Sequence, residues 1–434
     1  MLALLGGNGA LIVAMWIRHG GLSTLGSASA DLTAAGELTA LLGTYAALVQ
    51  LLLMSRSPVI EQLAGLDRLA HWHRWLGFSC TVLICGHVVL TTTGYALGDG
   101  SSVAAEAWTL LTTYPWMLMA AAGTACLLMV AVTSVRIARR RLRYETWHFV
   151  HLYAYLAIAL SLGHQLAVGN DLSTDPVARI YWIGLYAVVA GCVLAFRVGH
   201  PLRLALRHRL RIAQVVPEAD GVVSIYVTGR DLEQLRARAG QFFRWRFLAG
   251  DGWWKAHPFS LSAAPNAGFL RLTVKAVGDG SGDLQRLVPG TRVVAEGPYG
   301  IFTAERRSRA GVLLIAGGVG ITPLRALLEE LGGRGSVTLL YRASSWDDVL
   351  FRAEIDELVR ARRGTVHYLV GRRGTAGLPD DPLSARSLRG LAPDVRERDI
   401  FLCGPPGLVS SVCASLRELG VPDAQIHHER FALL

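Results

Sequence analysis

The stretch HRWLGFSCTVLICGH, which runs from His73 to His87, indicates the fold of the first half of the chain. Apart from Arg74, the residues between the two histidines are largely apolar, which predicts part of a membrane-spanning helix. Ionisable groups at membrane depth are costly and usually have a function. A helix with a histidine at each end of a fourteen-residue interval therefore requires partners elsewhere in the chain.

The composition predicts a membrane part followed by a soluble part. The chain has 434 residues, of which 52% are hydrophobic and 18% charged. This is too apolar for an ordinary soluble protein, and the apolar residues are concentrated in the first 200 positions. The net charge of +10 is not arranged as a basic stripe interleaved with aromatic residues, which argues against nucleic-acid binding.

The cysteine pattern argues against a zinc or iron–sulfur site. None of the six cysteines forms a C-x-x-C pair, and four of them lie in apolar stretches, where a buried free thiol is the ordinary interpretation. The N-terminal segment also lacks the basic start of a cleavable signal peptide.

Six segments approach the roughly 20 apolar residues that a membrane-spanning helix needs. They are residues 2–17, 36–54, 74–95, 114–135, 147–168 and 178–197. The first is short and contains Asn8. Basic residues crowd the loops after the second and fourth segments, whereas the loops at 96–113 and 169–177 contain none and Arg18 is the exception on that side. The positive-inside rule then predicts an inner-membrane protein whose residues after 200 lie in the cytoplasm.

The soluble part shows two different sequence patterns. Between about 209 and 303, short alternating runs such as LRLTVKA, residues 270–276, predict a small antiparallel β-barrel. From about 310, strands alternate with turns and helices, which predicts a parallel α/β sheet. We therefore expect three domains at 1–199, 200–305 and 306–434.

The partners of His73 and His87 are predicted on the fifth segment. His151 and His164 are 13 residues apart there, so both intervals span about 20 Å of helix. Two helices with histidines at two shared depths can ligate two stacked haems, each through two imidazoles. The alternative is that these histidines are polar residues hydrogen-bonded within the bundle.

The interval of 13 residues does not return to the same helix face. Fourteen residues do so nearly, but 13 fall well over a third of a turn short. The fifth helix is therefore expected to be distorted locally, or to present its histidines in different directions. His148 remains a rival to His151 as the inner ligand.

Four further motifs follow the paired histidines in order. They are HPFSLSAAP from His257, GPYG from Gly297, GGVGITP from Gly317 and CGPPG from Cys403. Together with the histidines they resemble the ferric reductase / NADPH oxidase superfamily of bacterial type, and the soluble half resembles ferredoxin–NADP reductase. The resemblance covers essentially the whole chain and implies FAD, two b-type haems and NADPH or NADH as cofactors.

The resemblance implies that one strand contacts the flavin. Its residues are His257, Pro258, Phe259, Ser260, Leu261 and Ser262. Ser260 is implied to lie near the reacting N5 edge, and His257 to flank the ring. Gly278, Gly280 and Ser281 are implied to open a helix whose backbone N–H groups bind the FAD pyrophosphate, with Lys275 nearby. An ordinary glycine turn is the alternative for this segment.

The nucleotide site is implied at two turns that follow strands. Gly317, Gly318 and Gly320 allow close backbone approach to a dinucleotide. Thr322 suits the cap of the following helix and Pro323 its first position. The implied contacts at the second turn are Cys403, Gly404 and Pro405.

Three implied roles have ordinary alternatives. Cys403 is implied to lie near the nicotinamide, or is a buried structural thiol. Phe431 is implied to shield the flavin, or is a core residue. Arg342 is implied to contact an adenosine 2′-phosphate, or is a solvated arginine.

The expected function is transfer of electrons from cytoplasmic NAD(P)H through FAD and two haems to an acceptor outside. By resemblance the ligands are His73 and His151 for the inner haem, and His87 and His164 for the outer one. A ferric chelate is favoured as acceptor, because Thr91 stands where superoxide-producing oxidases have a further histidine. Oxygen is the alternative acceptor. A haem-binding sensor or an anchor with a vestigial reductase half is the non-enzymatic alternative.

Overall fold

The computed structural model describes residues 2–142, 144–277, 279–332, 335–372, 379 and 381–430. Contacts divide the chain into two compact units, Met1–Val198 and Gly199–Leu434. The first unit contains only helices among its described residues. The second contains strands, short helices and two kinds of sheet.

The helices of the first unit are numbered in chain order. They are α1 (Leu2–Arg18), α2 (Ala28–Leu53), α3 (Pro58–Ala64), α4 (Leu66–Asp99), α5 (Val103–Thr113), α6 (Met117–Ser134), α7 (Arg136–Arg141), α8 (Tyr144–His151), α9 (Tyr153–Val168), α10 (Asn170–Thr174) and α11 (Pro176–Leu194). A π-helical turn, Ala195–Gly199, leads from α11 into α12 (His200–His208) of the second unit.

Five helical segments are long and apolar enough to cross a membrane. They are Ala28–Leu53, Arg68–Asp99, Met117–Ser134, Glu145–Val168 and Pro176–His208. The prediction of six spans is thus not confirmed, because α1 falls among the shorter apolar helices. Its 17 residues rise about 26 Å, less than the roughly 30 Å of a bilayer core.

Small residues bring α2 and α4 into close contact. A Cβ atom on Gly36 would lie 2.4 Å from Thr91 Oγ1, and one on Gly43 would lie 2.8 Å from Ile84 Cδ1. A Cβ atom on Gly94 of α4 would lie 2.5 Å from Thr33 Oγ1. Packing through small residues is how helices approach in lipid, where burial of apolar surface supplies little driving force.

The first part of the second unit contains two antiparallel sheets of three strands. Their orders are β1-β2-β5, from Arg211–Ala219, Val222–Thr228 and Leu270–Lys275, and β4-β3-β6, from His257–Ser260, Phe242–Phe247 and Val293–Tyr299. Isolated bridges at Leu261↔Leu272 and Arg211↔Arg292 join the sheets. The predicted antiparallel β-barrel is not confirmed, because these bridges are isolated and the two sheets do not close. Strand β4 has only four residues, and its Pro258 has no N–H to extend a ladder.

The predicted parallel α/β part is present. Five parallel strands lie in the order β11-β10-β7-β8-β9. They are β7 (Gly311–Gly317), β8 (Val337–Ala343), β9 (Thr365–Val370), β10 (Arg398–Gly404) and β11 (Ile426–Arg430). The order reverses between β7 and β10, and the carboxyl ends of strands at such a point are where open α/β sheets bind ligands.

Helices cover the parallel sheet and complete its core. They are α14 (Ile321–Glu330), α15 (Arg352–Ala361), α16 (Ala385–Leu391) and α17 (Pro406–Glu418), and a short α13 (Asp279–Gly282) precedes them. Val222, Ala239 and Phe302 from the antiparallel part join the same buried cluster as Leu314 and Phe401. The two parts of the second unit therefore share one core.

Candidate functional site

The four predicted histidines form two pairs between the same helical segments. The rings of His73 and His151 have centroids 5.9 Å apart, and those of His87 and His164 have centroids 6.5 Å apart. His73 and His87 both lie on the unbroken helix α4, whereas His151 ends α8 and His164 lies on α9. The pairs stand about 20 Å apart along α4.

The pair spacing suits a metal held between two imidazoles. Two imidazoles on opposite sides of one metal, with metal–nitrogen bonds of about 2.0 Å, have ring centroids about 6 Å apart. Within the described part of the chain, no three His, Cys, Asp or Glu side chains gather at metal-binding distance. Each pair therefore fits a haem iron, whose equatorial ligands belong to the porphyrin, better than a bare metal ion.

Carbonyl groups of α2 face the histidines of α4. The Nδ1 atom of His73 lies 3.3 Å from the carbonyl oxygen of Gln50, and that of His87 lies 3.0 Å from the carbonyl oxygen of Gly36. When the N–H on Nδ1 donates to a carbonyl, Nε2 is left free to ligate a metal. Such a hydrogen bond from the non-ligating nitrogen is usual for a metal-bound histidine.

The expected distortion of the fifth segment is present. Helix α8 ends at His151 and α9 begins at Tyr153, so Leu152 interrupts the segment between the two histidines. The N–H of Tyr155 donates to the carbonyl of Leu152, a tighter i to i+3 bond. The indole of Trp147 lies beside both candidate rings, 5.0 Å from His151 and 6.5 Å from His148 between centroids, and the ring of His151 also faces His73.

The predicted flavin strand is β4. Ser260 pairs with Phe242 of β3, and Phe242 pairs with Tyr299 of β6, so the three residues form a row across the sheet. Ser260 is 5% exposed, and Leu261 and Ser262 are fully buried, whereas Pro258 is exposed. The ring of His257 stacks parallel to that of Phe259. Burial, and secondarily the charge of Lys255, lower the pKa of His257 against the opposing charge of Asp283, which favours the neutral ring.

The predicted phosphate-binding turn is only partly described. Gly278 lies outside the described residues, as does Phe431. Gly280 lies within α13, a helix of only four residues. Ser281 Oγ accepts a hydrogen bond of 2.9 Å from the backbone N–H of Val277, which closes the turn. Lys275 ends β5 and forms a 3.4 Å ion pair with Asp348.

Glycines allow the carboxyl ends of β7 and β10 to touch. A Cβ atom on Gly320 would lie 2.4 Å from the carbonyl oxygen of Cys403, and one on Gly404 would lie 3.2 Å from Gly317 Cα. Gly318 has a φ of +54°, and a Cβ atom there would meet nothing within 4 Å. The turn therefore presents open, glycine-only backbone at the point where the strand order reverses, which suits close approach of a dinucleotide.

The predicted cap of the helix after this turn is wrong. Helix α14 begins at Ile321, so Thr322 is its second residue and Pro323 its third. The Thr322 hydroxyl donates to the carbonyl of Val319 at 3.0 Å instead of accepting from the helix N-terminus. The physical reason is that the 3₁₀ turn Gly318–Gly320 leads directly into α14, which leaves no extended cap residue.

Cys403 and Arg342 both lie at the edge formed by the ends of β7, β8 and β10. Cys403 is fully buried, next to Ala316 in the sheet and opposite Glu429. Burial, followed by the charge of Glu429, raises the pKa of the Cys403 thiol well above its usual range. Arg342 pairs with Gly317, and its Nη1 donates to the carbonyl oxygen of Leu369 at 2.9 Å. Pro405 is exposed directly after the β10 turn.

Sequence reasoning missed an ion cluster within the second unit, in which two buried arginines meet partly exposed glutamates. The Arg271 guanidinium donates to both carboxylate oxygens of Glu354, at 3.1 and 3.0 Å. Arg325 lies 2.6 Å from the same carboxylate and 2.7 Å from Glu329. Both arginines also donate to the carbonyl oxygen of Ser262, at 2.8 and 3.2 Å. The cluster thus ties the end of the predicted flavin strand to α14 and α15.

Two protein-family models match the chain. Residues 39–162 match the ferric reductase like transmembrane component, and residues 314–414 match the oxidoreductase NAD-binding domain. The first range includes His73, His87 and His151 and ends two residues before His164, and the second includes the Gly317 and Cys403 turns.

Individual proteins resemble part of the chain. A ferredoxin–NADP reductase B of Sorangium cellulosum is 33% identical over 192 residues, which cover 40% of this chain and 77% of that protein. The ferredoxin reductase component of a Mycolicibacterium smegmatis 3-ketosteroid-9-alpha-monooxygenase is 31% identical, covering 52% and 65%. A flavohemoprotein of Halalkalibacterium halodurans is 28% identical, covering 49% and 57%. The chain thus spans less than two thirds of the length of the M. smegmatis and H. halodurans proteins.

Solved structures also resemble part of the chain. The FAD/NAD-binding domain of a Vibrio cholerae nitric oxide dioxygenase is 26% identical and aligns with a TM-score of 0.43. The alignment covers 52% of this chain and 99% of that one.

Proposed function

Because the chain belongs to the ferredoxin–NADP reductase family and carries a ferric reductase-like transmembrane component, we propose that it transfers electrons from NAD(P)H across a membrane to an acceptor on the opposite side. Its relatives are NAD(P)H-linked flavin oxidoreductases, and the chain is an oxidoreductase of the same kind, with FAD and NAD(P) as cofactors. The membrane crossing, the haems and the acceptor are the new parts of the proposal.

The observation that carries the proposal is the pairing of histidines at two levels of one helix bundle. His73 and His151 would hold one b-type haem, and His87 and His164 would hold the other. When bound, FAD would take up a hydride from the nicotinamide, and the haems would carry single electrons onward. Two sites stacked about 20 Å apart along α4 support a path through the thickness of a bilayer.

The soluble residues would orient the nicotinamide and the flavin. The Ser260 side chain, at the buried end of β4, would contact the reacting edge of the flavin, with His257 beside the ring. The open backbone at Gly318 would admit the dinucleotide pyrophosphate. Cys403, kept as a neutral thiol by its burial, would pack near the nicotinamide without adding charge.

The direction of transfer is proposed from the charge distribution. Basic residues are concentrated in the loops that adjoin Arg56 and Arg139, so these loops would face the cytoplasm. The flavin and nucleotide parts, at 200–305 and 306–434, would then also lie in the cytoplasm, behind a transmembrane part at 1–199. Electrons would leave at the His87–His164 level on the outer face of the inner membrane.

The proposed acceptor is a ferric chelate. Thr91, one helical turn after His87, lacks the imidazole that superoxide-producing oxidases are expected to have at this position. Its hydroxyl lies 3.1 Å from His87 Nδ1. Oxygen is the alternative acceptor and is distinguished by the experiment below.

The test is anaerobic reduction of the purified full chain by NADPH and then by NADH, followed by addition of ferric chelate or oxygen. We expect two low-spin haems per chain, reduction by the nucleotide, and faster reoxidation by the chelate than by air. One haem per fully loaded chain would refute the pairing. Rapid stoichiometric superoxide with an inert chelate would identify the oxidase instead, and bound FAD without nucleotide turnover would identify the non-enzymatic alternative.

A further inference from the structure

The ring nitrogen of His87 faces two acceptors at once. Its Nδ1 lies 3.0 Å from the carbonyl oxygen of Gly36 and 3.1 Å from Thr91 Oγ1. Gly36 is close enough to α4 that a Cβ atom would lie 2.4 Å from Thr91 Oγ1 and 3.0 Å from the Thr91 backbone nitrogen. Because the carbonyl oxygen can only accept, Nδ1 carries the proton, and the Thr91 hydroxyl oxygen lies within reach of the same N–H, as in a three-centre hydrogen bond.

The other three histidines of the pairs lack this arrangement. The carbonyl of Gln50 faces His73, but the residue one turn after His73 is Gly77, which has no hydroxyl. His151 Nδ1 lies 3.4 Å from Ser134 Oγ. The buried Nδ1 of His164 has no hydrogen-bond partner among the described residues. Of the two paired histidines on α4, only His87 thus has a hydroxyl as well as a carbonyl within hydrogen-bonding distance among the described residues.

Thr91 also differs from a second threonine of the same helix. The hydroxyl of Thr81 donates to the carbonyl of Gly77, four residues earlier, at 2.9 Å. This is the usual bond of a threonine inside a helix. The hydroxyl of Thr91 instead lies against the imidazole of His87. The two threonines therefore form a matched pair for experiment.

We propose that Thr91 is a positioning residue that fixes the His87 ring and lowers the reduction potential of the metal centre at the His87–His164 level. The proposal rests on the proposed function, because it assumes a haem iron between these two rings. An acceptor on the distal nitrogen raises the basicity of the ligating nitrogen and thereby favours the oxidised metal. A second acceptor strengthens this effect at one level only.

The expected size follows from the usual effect of such partners. Loss of a group that hydrogen-bonds a ligating histidine typically changes metal affinity by about tenfold or more. Because the carbonyl of Gly36 remains as an acceptor, we expect a change of about tenfold, the lower end of this range. A tenfold change in the preference for the oxidised metal is about 59 mV for one electron.

The test uses the full chain in lipid nanodiscs, with Thr91→Val, Thr91→Ser and Thr81→Val compared with the wild type. Anaerobic redox titration of the haem bands, with electron paramagnetic resonance of the oxidised protein, separates the two centres. Thr91→Val should make one midpoint potential more positive by about 59 mV and change one low-spin signal in the electron paramagnetic resonance spectrum. Thr91→Ser should restore both, and Thr81→Val should change neither. Thr91→Ala replaces Thr91→Val if that variant does not assemble.

Each result decides a different question. A wild type without two low-spin haems overturns the proposed function itself. A wild type with two haems, in which Thr91→Val moves neither potential or moves both equally, overturns the role of Thr91. An equal shift in Thr81→Val also overturns it, because that shift would report a general change in helix α4.

Discussion

Replacement of Glu354 by glutamine is expected to destabilise the second unit more than replacement of any exposed acid. Glu354 is the shared partner of Arg271 and Arg325, whose side chains are only 4% and 9% exposed. The guanidinium of Arg271 also lies over the ring of Phe351, 4.7 Å from its centroid. Without the carboxylate, the Arg271 charge would keep only the Ser262 carbonyl and the Tyr226 hydroxyl as polar partners in the part of the chain that the structure describes, whereas Arg325 would keep Glu329.

The magnitude follows from the burial of the partners. Removal of one member of a buried ion pair costs about 3–5 kcal/mol, because the other charge is left uncompensated. Glu354 itself is 38% exposed, so water would reach part of the cluster and the lower limit of about 3 kcal/mol applies. In a unit of this size, each kcal/mol lowers the melting temperature by about 2–4 °C, which gives about 6–12 °C.

The pH dependence provides a second check. Burial alone would raise the pKa of Glu354, but hydrogen bonds and charge from Arg271, and then Arg325, outweigh it and lower that pKa. A depressed pKa contributes stability above the unfolded value of about 4.3, and this contribution is lost as the pH falls through the folded value. The difference between wild type and Glu354→Gln should therefore be full at pH 7 and shrink below pH 4.3 or so.

The assay is thermal unfolding of the full chain, followed by calorimetry and by the fluorescence of released flavin. Glu357→Gln is the matched control, because Glu357 is an exposed acid on the same helix α15. A loss of less than 2 °C in Glu354→Gln, or an equal loss in the control, would refute the claim that the cluster holds the flavin part to the nucleotide part.

Three further outcomes are expected. His164→Ala should leave one low-spin haem per chain where the wild type has two, measured by pyridine haemochrome assay, whereas His148→Ala should keep both. Arg342→Ala should remove most of a roughly ten- to a hundredfold preference for NADPH over NADH, since a charge-assisted contact is worth about 1.5–3 kcal/mol. An unchanged ratio of the steady-state kcat/KM values for NADPH and NADH would exclude that contact. Because burial raises its pKa, the Cys403 thiol should resist iodoacetamide in the folded chain at pH 8 and react on unfolding; rapid labelling by mass spectrometry would contradict this.

Hydrophobic patterns in the sequence correctly predicted the β7 strand and the apolar helices. The run VLLIA after Gly311 predicts a buried strand, and Val312–Ala316 indeed lies inside β7 of a parallel sheet. The apolar segments predicted helices, and five of them have the length of a span. Local patterns succeed here because strand and helix periods depend on which residues face the core.

The alternation along β5 indicates a strand but does not identify an exposed face. Arg271 and Thr273 are each 4% exposed, although they alternate with buried Leu270, Leu272 and Val274. The strand is covered on both faces, and Arg271 is matched by a carboxylate 83 residues away. No local pattern in LRLTVKA contains that partner, so only the tertiary structure reveals why an arginine can occupy a buried strand.

The position of the helix after the Gly317 turn depended on backbone geometry in the same way. A threonine followed by proline is typical of a helix start, but the turn at Gly318 already enters the helix two residues earlier. The left-handed φ of Gly318 makes this entry possible, and nothing in the residue types alone fixes its register.

The interval between His151 and His164 is informative because it does not suit a regular helix. In a regular helix, thirteen residues at about 100° each would place two side chains about 140° apart, so both rings could not face α4. The interruption at Leu152 separates α8 from α9 and allows each ring to approach its partner, at 5.9 and 6.5 Å. The interval of fourteen residues on α4 needs no such break, and α4 is continuous from Leu66 to Asp99. The interval of 13 residues therefore requires a break in the segment that carries His151 and His164, and the structure has this break at Leu152.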